Sequence, residues 1–282
     1  MKLVLITTTD MTSGRSGDFE RMVRSIAASI PAAVSLKHVM LLQRCTEQQR
    51  QLVAASIPYG GAVVLCCPDR LPLSAARNIM LAHARESGDL SATAIVGFPD
   101  DDCWYQPGFL ASLVAAFHDN VDLGLIVSRV SLTPAVSWKK GMERRATTAD
   151  VLKKANSNSM FLRGNIVAAI GDFDSSLGLG TPNVSGEDTD FCLRASFAAR
   201  EAVYVDLPLV GHKEPDLDSV TKYFGGNLLV ARRYALRSPA LFLQFARKLA
   251  VGGYLVLRKR LKVADFIKAL QASAGSFGRN AG

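Results

Sequence analysis

Residues 95–105 read IVGFPDDDCWY: an apolar run, three consecutive carboxylates at Asp100, Asp101 and Asp102, then two aromatics. With the residues before it, the run ATAIVGF has the length and composition of a strand buried on both faces, closed by Pro99. Open α/β sheets bind ligands just beyond the C-terminal ends of such strands. Carboxylates placed there can hold a divalent cation whose shell is completed by phosphate oxygens and water. The alternative is a solvated loop, or acids at a helix start. Apolar and aromatic flanks count against it, as does the repulsion among three like charges that lack a cation or helix terminus to offset them.

Working outward, the first ~130 residues alternate strand-like and helix-like stretches, the pattern of an α/β sheet. KLVLITT, LKHVMLLQ and AVVLCC read as strands before the acidic run, and LGLIVSRVS as one after it. GDFERMVRSIAASI sets Phe19, Met22, Val23, Ile26 and Ile30 at helical spacing, and TEQQRQLVAAS is a second helix. LSAARNIMLAHARES is a third, with Ser74 placed as its N-cap, and PGFLASLVAAFHDN a fourth, with its proline in the first turn. Between Pro134 and Ala155 the periodicity weakens around a lone Trp138. It returns in SNSMFLRGNIVAAIGDFD, in the helix DTDFCLRASFAAR and in the strand EAVYVDLP, and the chain from about Ser219 reads as helical.

Bulk properties fit an enzyme-sized globular chain: 282 residues, 49% hydrophobic and 21% charged, which excludes wholesale disorder. The five cysteines are odd in number and lack a CxxC spacing, so they read as reduced thiols of a cytosolic protein and not as a disulfide frame or zinc site. MKLVLITTTD reads as a first strand, without the length or cleavage pattern of a secretion signal. No stretch has the ~20 uninterrupted apolar residues of a membrane span; the nearest, ALFLQFARKLAVGGYLVL, is split by Arg247 and Lys248.

The net charge of +8 is unevenly placed. Between Asp218 and Asp265 there are ten basic residues and no acid, which points to a partner surface for the tail.

Three further segments bear on the acidic run. SAARN puts Arg77 and Asn78 near a helix start, where a guanidinium can reach a pyrophosphate; an ordinary surface arginine is the alternative. GDFDSSLGLGTPNVSGEDTD closes a glycine-shaped loop on Glu187, Asp188 and Asp190, acids that either cap a helix or accept a proton from an attacking hydroxyl. GHKEP places His212 directly after the last strand and loop, as a structural histidine or a ligand.

Together and in this order, SAARN, FPDDD and the GxFDxxLGxG-like loop ending in GEDTD resemble family-2 glycosyltransferases of the GT-A fold, over roughly residues 1–215. KYFGGNLLVARRY is similar to the segment that follows the catalytic domain in bacterial members building cell-surface polysaccharides. The resemblance implies a GT-A catalytic domain at 1–215, its nucleotide-sugar half at 1–130 and its acceptor half at 131–215. A helical basic tail would occupy 216–282. It implies an inverting transfer from a nucleoside-diphosphate sugar to a glycan or lipid-linked glycan acceptor, with Mn²⁺ or Mg²⁺ as cofactor.

By that resemblance Thr7, Thr9 and Arg77 meet the nucleotide and Asp100 the ribose. Asp102 is the favoured metal ligand, Asp101 is left between the two roles, and His212 falls where some members ligate the metal or diphosphate. Asp188 maps to the catalytic base with Glu187 its neighbour at the acceptor, the choice between the two staying open. Trp138 is either a sugar platform for the acceptor or a packing residue. One departure is that LLQRC offers Gln43 and Arg44 where UDP-specific members carry an acid for uracil, so UDP, dTDP and GDP all stay open as donor bases.

The tail's apolar blocks and paired basic residues suit interfacial helices on an anionic membrane, giving a peripheral place on the inner face of the cell membrane and no nucleic-acid partner. Two rival functions use the same acids: a sugar-phosphate nucleotidyltransferase, for which MTSGRSGD is a poor phosphate loop, and a non-catalytic protein that binds a nucleotide sugar or glycan.

Overall fold

Four parallel strands open the chain: β1 (Lys2–Asp10), β2 (Ser35–Gln43), β3 (Ala62–Cys67) and β4 (Ala94–Gly97), with β1 lying between β2 and β4. The computed structural model describes residues 1–135, 138–139, 141–213 and 221–274, the side chains of 272–274 excepted. The crossovers are α1 (Ser16–Ser29), α2 (Glu47–Ser56) and α3 (Leu73–Glu86). Parallel strands need such covered connections, and helices on both sides explain why LVLI, residues 3–6, is apolar at every position: Leu3 and Leu5 face one core, Val4 and Ile6 the other.

Both faces are fully packed. Met22, Val23 and Ile26 of α1 fill the first, and Ala76, Met80 and Leu81 of α3 the second. Burying each large side chain is worth about 1.5–3 kcal/mol.

After β4 the sheet becomes mixed. β5 (Trp104–Tyr105), α4 (Phe109–Asp119), β6 (Leu123–Ser131), β7 (Glu143–Arg145), α5 (Thr148–Lys154), β8 (Met160–Arg163), α6 (Gly164–Ile170), α7 (Glu187–Ala198) and β9 (Glu201–Gly211) follow. The order across the sheet is β3-β2-β1-β4-β8-β6-β9-β5, with β7 also on β9. β8 runs antiparallel to β4 and β6, whereas β6 and β9 are parallel. This is the expected α/β class with a mixed nucleotide-binding-type sheet flanked by helices.

Several local expectations need correction. Ser74 is not the N-cap of α3: Pro72 holds that place, and Ser74, inside the first turn, donates its hydroxyl to the Leu177 carbonyl at 2.7 Å. Pro107 precedes α4, whose N-cap is Gly108. The weakly patterned stretch 134–155 holds β7 and α5, elements of three and seven residues, too short and polar to show a periodicity. Thr147 and Asp150 nevertheless form a capping box at the start of α5.

The C-terminal segment folds as α8 (Phe224–Tyr234), α9 (Pro239–Leu257) and α10 (Val263–Ala274). The sequence division at 215/216 falls outside the described residues, and packing crosses it. Leu229, Val230 and Tyr234 of α8 and Leu241 of α9 belong to the core shared with α3 and α7, while Phe224, Leu228, Leu255, Leu261 and Ala269 form a small core of their own.

Candidate active site

The strand ends β1, β4 and β9 and the N-termini of α3 and α7 surround a cleft of about 690 Å³. Asp100, Asp101 and Asp102 lie on its floor, and Glu187 and Asp188 on its wall. What brings the two acidic groups together is Arg77. Its side chain is 3% exposed; it donates to Asp188 Oδ1 at 2.7 Å, to Asp100 Oδ1 at 3.2 Å and to Ser157 Oγ at 2.7 Å, and it stacks on the Phe173 ring. Burial disfavours that charge, but Asp188, Asp100 and Glu187 outweigh it and keep the guanidinium firmly protonated.

The three acids of the triplet have different partners. Asp100 receives Asn158 Nδ2 at 2.7 Å on its second oxygen, and its own backbone N–H donates to Asn158 Oδ1 at 2.6 Å. Burial still raises its carboxyl above the usual range, with Arg77 opposing and Asp188 adding to the rise. Asp101 turns away, accepting Thr9 Oγ1 at 2.6 Å and Arg15 Nη1 at 3.2 Å. Asp102 faces His212 Nε2 at 3.2 Å, and this hydrogen bond holds its carboxyl low.

His212 completes a cluster in which one ligand atom each from Asp100, Asp102 and His212 lies within 4.8 Å of the others. Its Nδ1 sits 2.7 Å from the Lys213 carbonyl, an acceptor only, so Nδ1 carries the proton and Nε2 is directed at the acids. Burial pulls the imidazolium down, but the Asp102 hydrogen bond and the charges of Asp100 and Asp102 more than reverse it. Two carboxylates and an imidazole nitrogen converging on one point form a donor set suited to Mn²⁺, and to Mg²⁺ with more of its shell left to water and phosphate.

Glu187 and Asp188 owe their position to the glycine before them. Gly186 has φ +97°, a conformation side chains avoid, and there it turns the chain into α7. A Cβ on Gly226 of α8 would come within 2.0 Å of the Ser185 carbonyl, so α8 seats its backbone directly on this loop. Ser157 N–H donates to Asp188 Oδ2 at 2.8 Å, leaving Asp188 held on both oxygens. Glu187 makes no such pair: burial, reinforced by the charge of Asp188, pushes its carboxyl up to about 8. Asp190 is a structural member of the motif, buried and bonded to Arg194, Arg233 and Tyr234.

Other sequence candidates lie elsewhere. Thr9 lines the cleft, but Thr7 sits beneath it, donating to the Pro99 carbonyl at 2.9 Å and contacting His38. Trp138 is not a cleft platform. It is 9% exposed, packed in the core with Leu209 and Val205, and its indole N–H points to Glu143.

Sequence reading missed Ser157 and Asn158, which clamp Asp188 and Asp100, and the role of Arg15, which faces Asp101 and Asp102. The SNS before strand MFLR and the isolated arginine in MTSGRSGD were visible but had no partner to give them meaning. Gln43, noted only as a missing acid, lies in the cleft wall, bonded to Thr8 and the Leu71 N–H.

Residues 44–169 match the family model described as Glycosyl transferase family 2. Among solved structures, S. aureus TarS 1–349 in complex with UDP superposes with a TM-score of 0.67 at 14% identity, covering 99% of this chain and 81% of that one. The same fragment with UDP-GlcNAc gives 0.66 at 14% identity, with 98% and 81% covered. A further S. aureus TarS structure gives 0.64 at 16% identity, with 99% and 50% covered. At such identity the likeness is one of fold. No curated protein matches the sequence. Fold and motif point to the same class: residues 44–169 match the family-2 glycosyltransferase model, and the chain as a whole has the mixed α/β GT-A fold of the S. aureus TarS structures.

Proposed function

We propose that the cleft transfers a sugar from a nucleoside-diphosphate sugar to a hydroxyl of a glycan or lipid-linked glycan in bacterial surface polysaccharide synthesis, inverting the anomeric centre and depending on Mn²⁺ or Mg²⁺. The observation that carries this reading is the junction of two acidic groups through Arg77: a base candidate, Asp188, is tied to a cation-binding group, Asp100–Asp102–His212, within one cleft.

Asp100, Asp102 and His212 would hold the metal, which when bound neutralises the negative charge of the departing diphosphate. Asp188, fixed by Arg77 and Ser157, accepts the acceptor hydroxyl's proton as that oxygen attacks from the face opposite the diphosphate. One carboxylate base with no covalent intermediate leads to inversion. Glu187, protonated at neutral pH, serves the acceptor as a hydrogen-bond donor and leaves the base role to Asp188. Thr9 and Arg15 steady Asp101 at the nucleotide side, and Arg77 reaches the same region through Asp100. UDP is the first base to try, since S. aureus TarS was captured with UDP and UDP-GlcNAc.

The experiment is product analysis with nucleotide sugars: release of a nucleoside diphosphate together with a glycosylated acceptor supports transfer. Release of pyrophosphate supports nucleotidyl transfer instead, and binding without turnover supports a non-catalytic protein.

A peripheral place on the inner membrane face is part of the proposal. Among the described residues, Pro239–Leu257 is the one helix long and apolar enough to cross a membrane by length and composition. Arg247 and Lys248 within it, and the packing of Leu241 and Leu255 onto the protein, favour a helix lying on the surface. Leu243, Tyr254 and Leu257 are exposed along one side, with Arg258, Lys259 and Arg260 at its end. Flotation with phosphatidylglycerol vesicles, lost in Leu243→Glu/Leu257→Glu, supports this; equal flotation of that variant contradicts it.

A further inference from the structure

Beside the catalytic cleft lies a second concavity of about 280 Å³, between α5, α7, α8 and α9. Ala155, Thr189 and Asn227 line both, so the two spaces adjoin, and the shared wall includes Thr189, the residue after Asp188. Three cations border the second space: Lys153 from the end of α5, and Arg247 and Lys248 from α9. No acid lines it, and among the described residues none of the three forms an ion pair. Elsewhere this chain pairs its arginines freely, as in Arg144–Asp150, Arg194–Asp190 and Arg233–Asp174.

Lys248 sharpens the point. A lysine that serves only solubility extends into water, where three cations in proximity cost little. Lys248 is instead drawn into the wall, and burial, with Arg247 adding its repulsion, pushes the ammonium down to about 8. An anion seated among the three would remove both penalties, and phosphate oxygens suit the combination of guanidinium and ammonium donors.

We infer that this pocket is an anion subsite that receives a phosphate group of the acceptor, placed one residue from the base so that a phosphate-bearing glycan or glycan carrier is held while its hydroxyl enters the cleft. The inference rests on the reading of the cleft as a transfer site. The carrying observation is the unpaired trio Lys153, Arg247 and Lys248 around a pocket continuous with the catalytic cleft.

The test follows the lysine resonances of the full chain labelled with ¹³C at lysine Cε. Titrants are inorganic phosphate and glycerol 3-phosphate without divalent metal, against sodium chloride at matched ionic strength. The expected result is a saturable shift of the Lys248 and Lys153 signals by both phosphates and not by chloride. Replacing the exposed side chain in Arg247→Ala should weaken the apparent dissociation constant at least about tenfold. Shifts that chloride reproduces, or that survive Arg247→Ala undiminished, overturn the subsite. A response to phosphatidylglycerol vesicles alone assigns the anion to a lipid headgroup and overturns the acceptor assignment. Metal-dependent nucleotide binding, read in parallel on the unsubstituted chain, separates the two failures. Its loss removes the transferase reading, whereas loss of the phosphate response alone removes only the subsite.

Discussion

Arg77 donates to Asp188 at 2.7 Å while also reaching Asp100 at 3.2 Å, so one buried guanidinium joins the proposed base to the acidic triplet. Removing one partner from such a buried ionic group leaves the others uncompensated, at a cost of about 3–5 kcal/mol. Arg77→Ala should therefore lower stability by that order in urea denaturation and abolish turnover. Arg77→Lys should retain part of the stability and little of the activity, because an ammonium cannot reach Asp188, Asp100 and Ser157 at once. A loss below about 1 kcal/mol in Arg77→Ala would show that the two acidic groups are held independently.

Asp188→Asn keeps the shape of the side chain and removes its basicity. Turnover should fall by about 10²–10⁴-fold, while the donor dissociation constant changes little. Turnover within a few-fold of the parent enzyme would transfer the base role elsewhere, Glu187 being the first place to look.

Glu187 carries a pH signature. Its carboxyl is held up to about 8 in the fold, against about 4.5 in an unfolded chain, so between these values the native state binds the extra proton. Stability then falls as pH rises through that window, by an amount on the order of a few kcal/mol. Glu187→Gln removes the dependence. In metal-free buffer its melting temperature should match the parent protein near pH 4.5 and exceed it near pH 8. An offset independent of pH would place Glu187 in an ordinary solvated setting.

Trp138 is a packing residue, and its truncation should act on stability alone. Trp138→Ala is expected to cost about 3–5 kcal/mol while leaving the acceptor KM of the remaining folded enzyme unchanged. A raised KM with unaltered stability would return it to the acceptor site.

The strands and helices that build the nucleotide-binding half were legible because both-sided burial writes continuous apolar runs such as LVLI and AIVG, and crossover helices write a 3.6-residue period. Asp100, Asp102, Asp188 and Arg77 were legible only as a set in order, and the fold does converge them. The two-residue strand β5 and the elements inside 134–155 were hidden by their shortness. Ser157 and Asn158 were hidden for another reason: their partners lie 31 and 58 positions away, and neither residue type signals a clamp by itself. The basic tail read as a separate surface feature, yet α8 is built into the main core, because Gly226 lets its backbone meet the Ser185–Gly186 turn.

Asp100, Asp102 and His212 are proposed to hold a cation that in turn holds a nucleoside diphosphate. The direct measurement is the melting temperature with UDP, dTDP, GDP and their sugars, in Mn²⁺ and in chelator. One nucleotide should stabilise the chain in Mn²⁺, by about 2.7 kcal/mol at a hundredfold excess over its dissociation constant. The effect should vanish in chelator and in Asp102→Ala. Stabilisation that is indifferent to metal and to Asp102, or none with any nucleotide, would contradict the account.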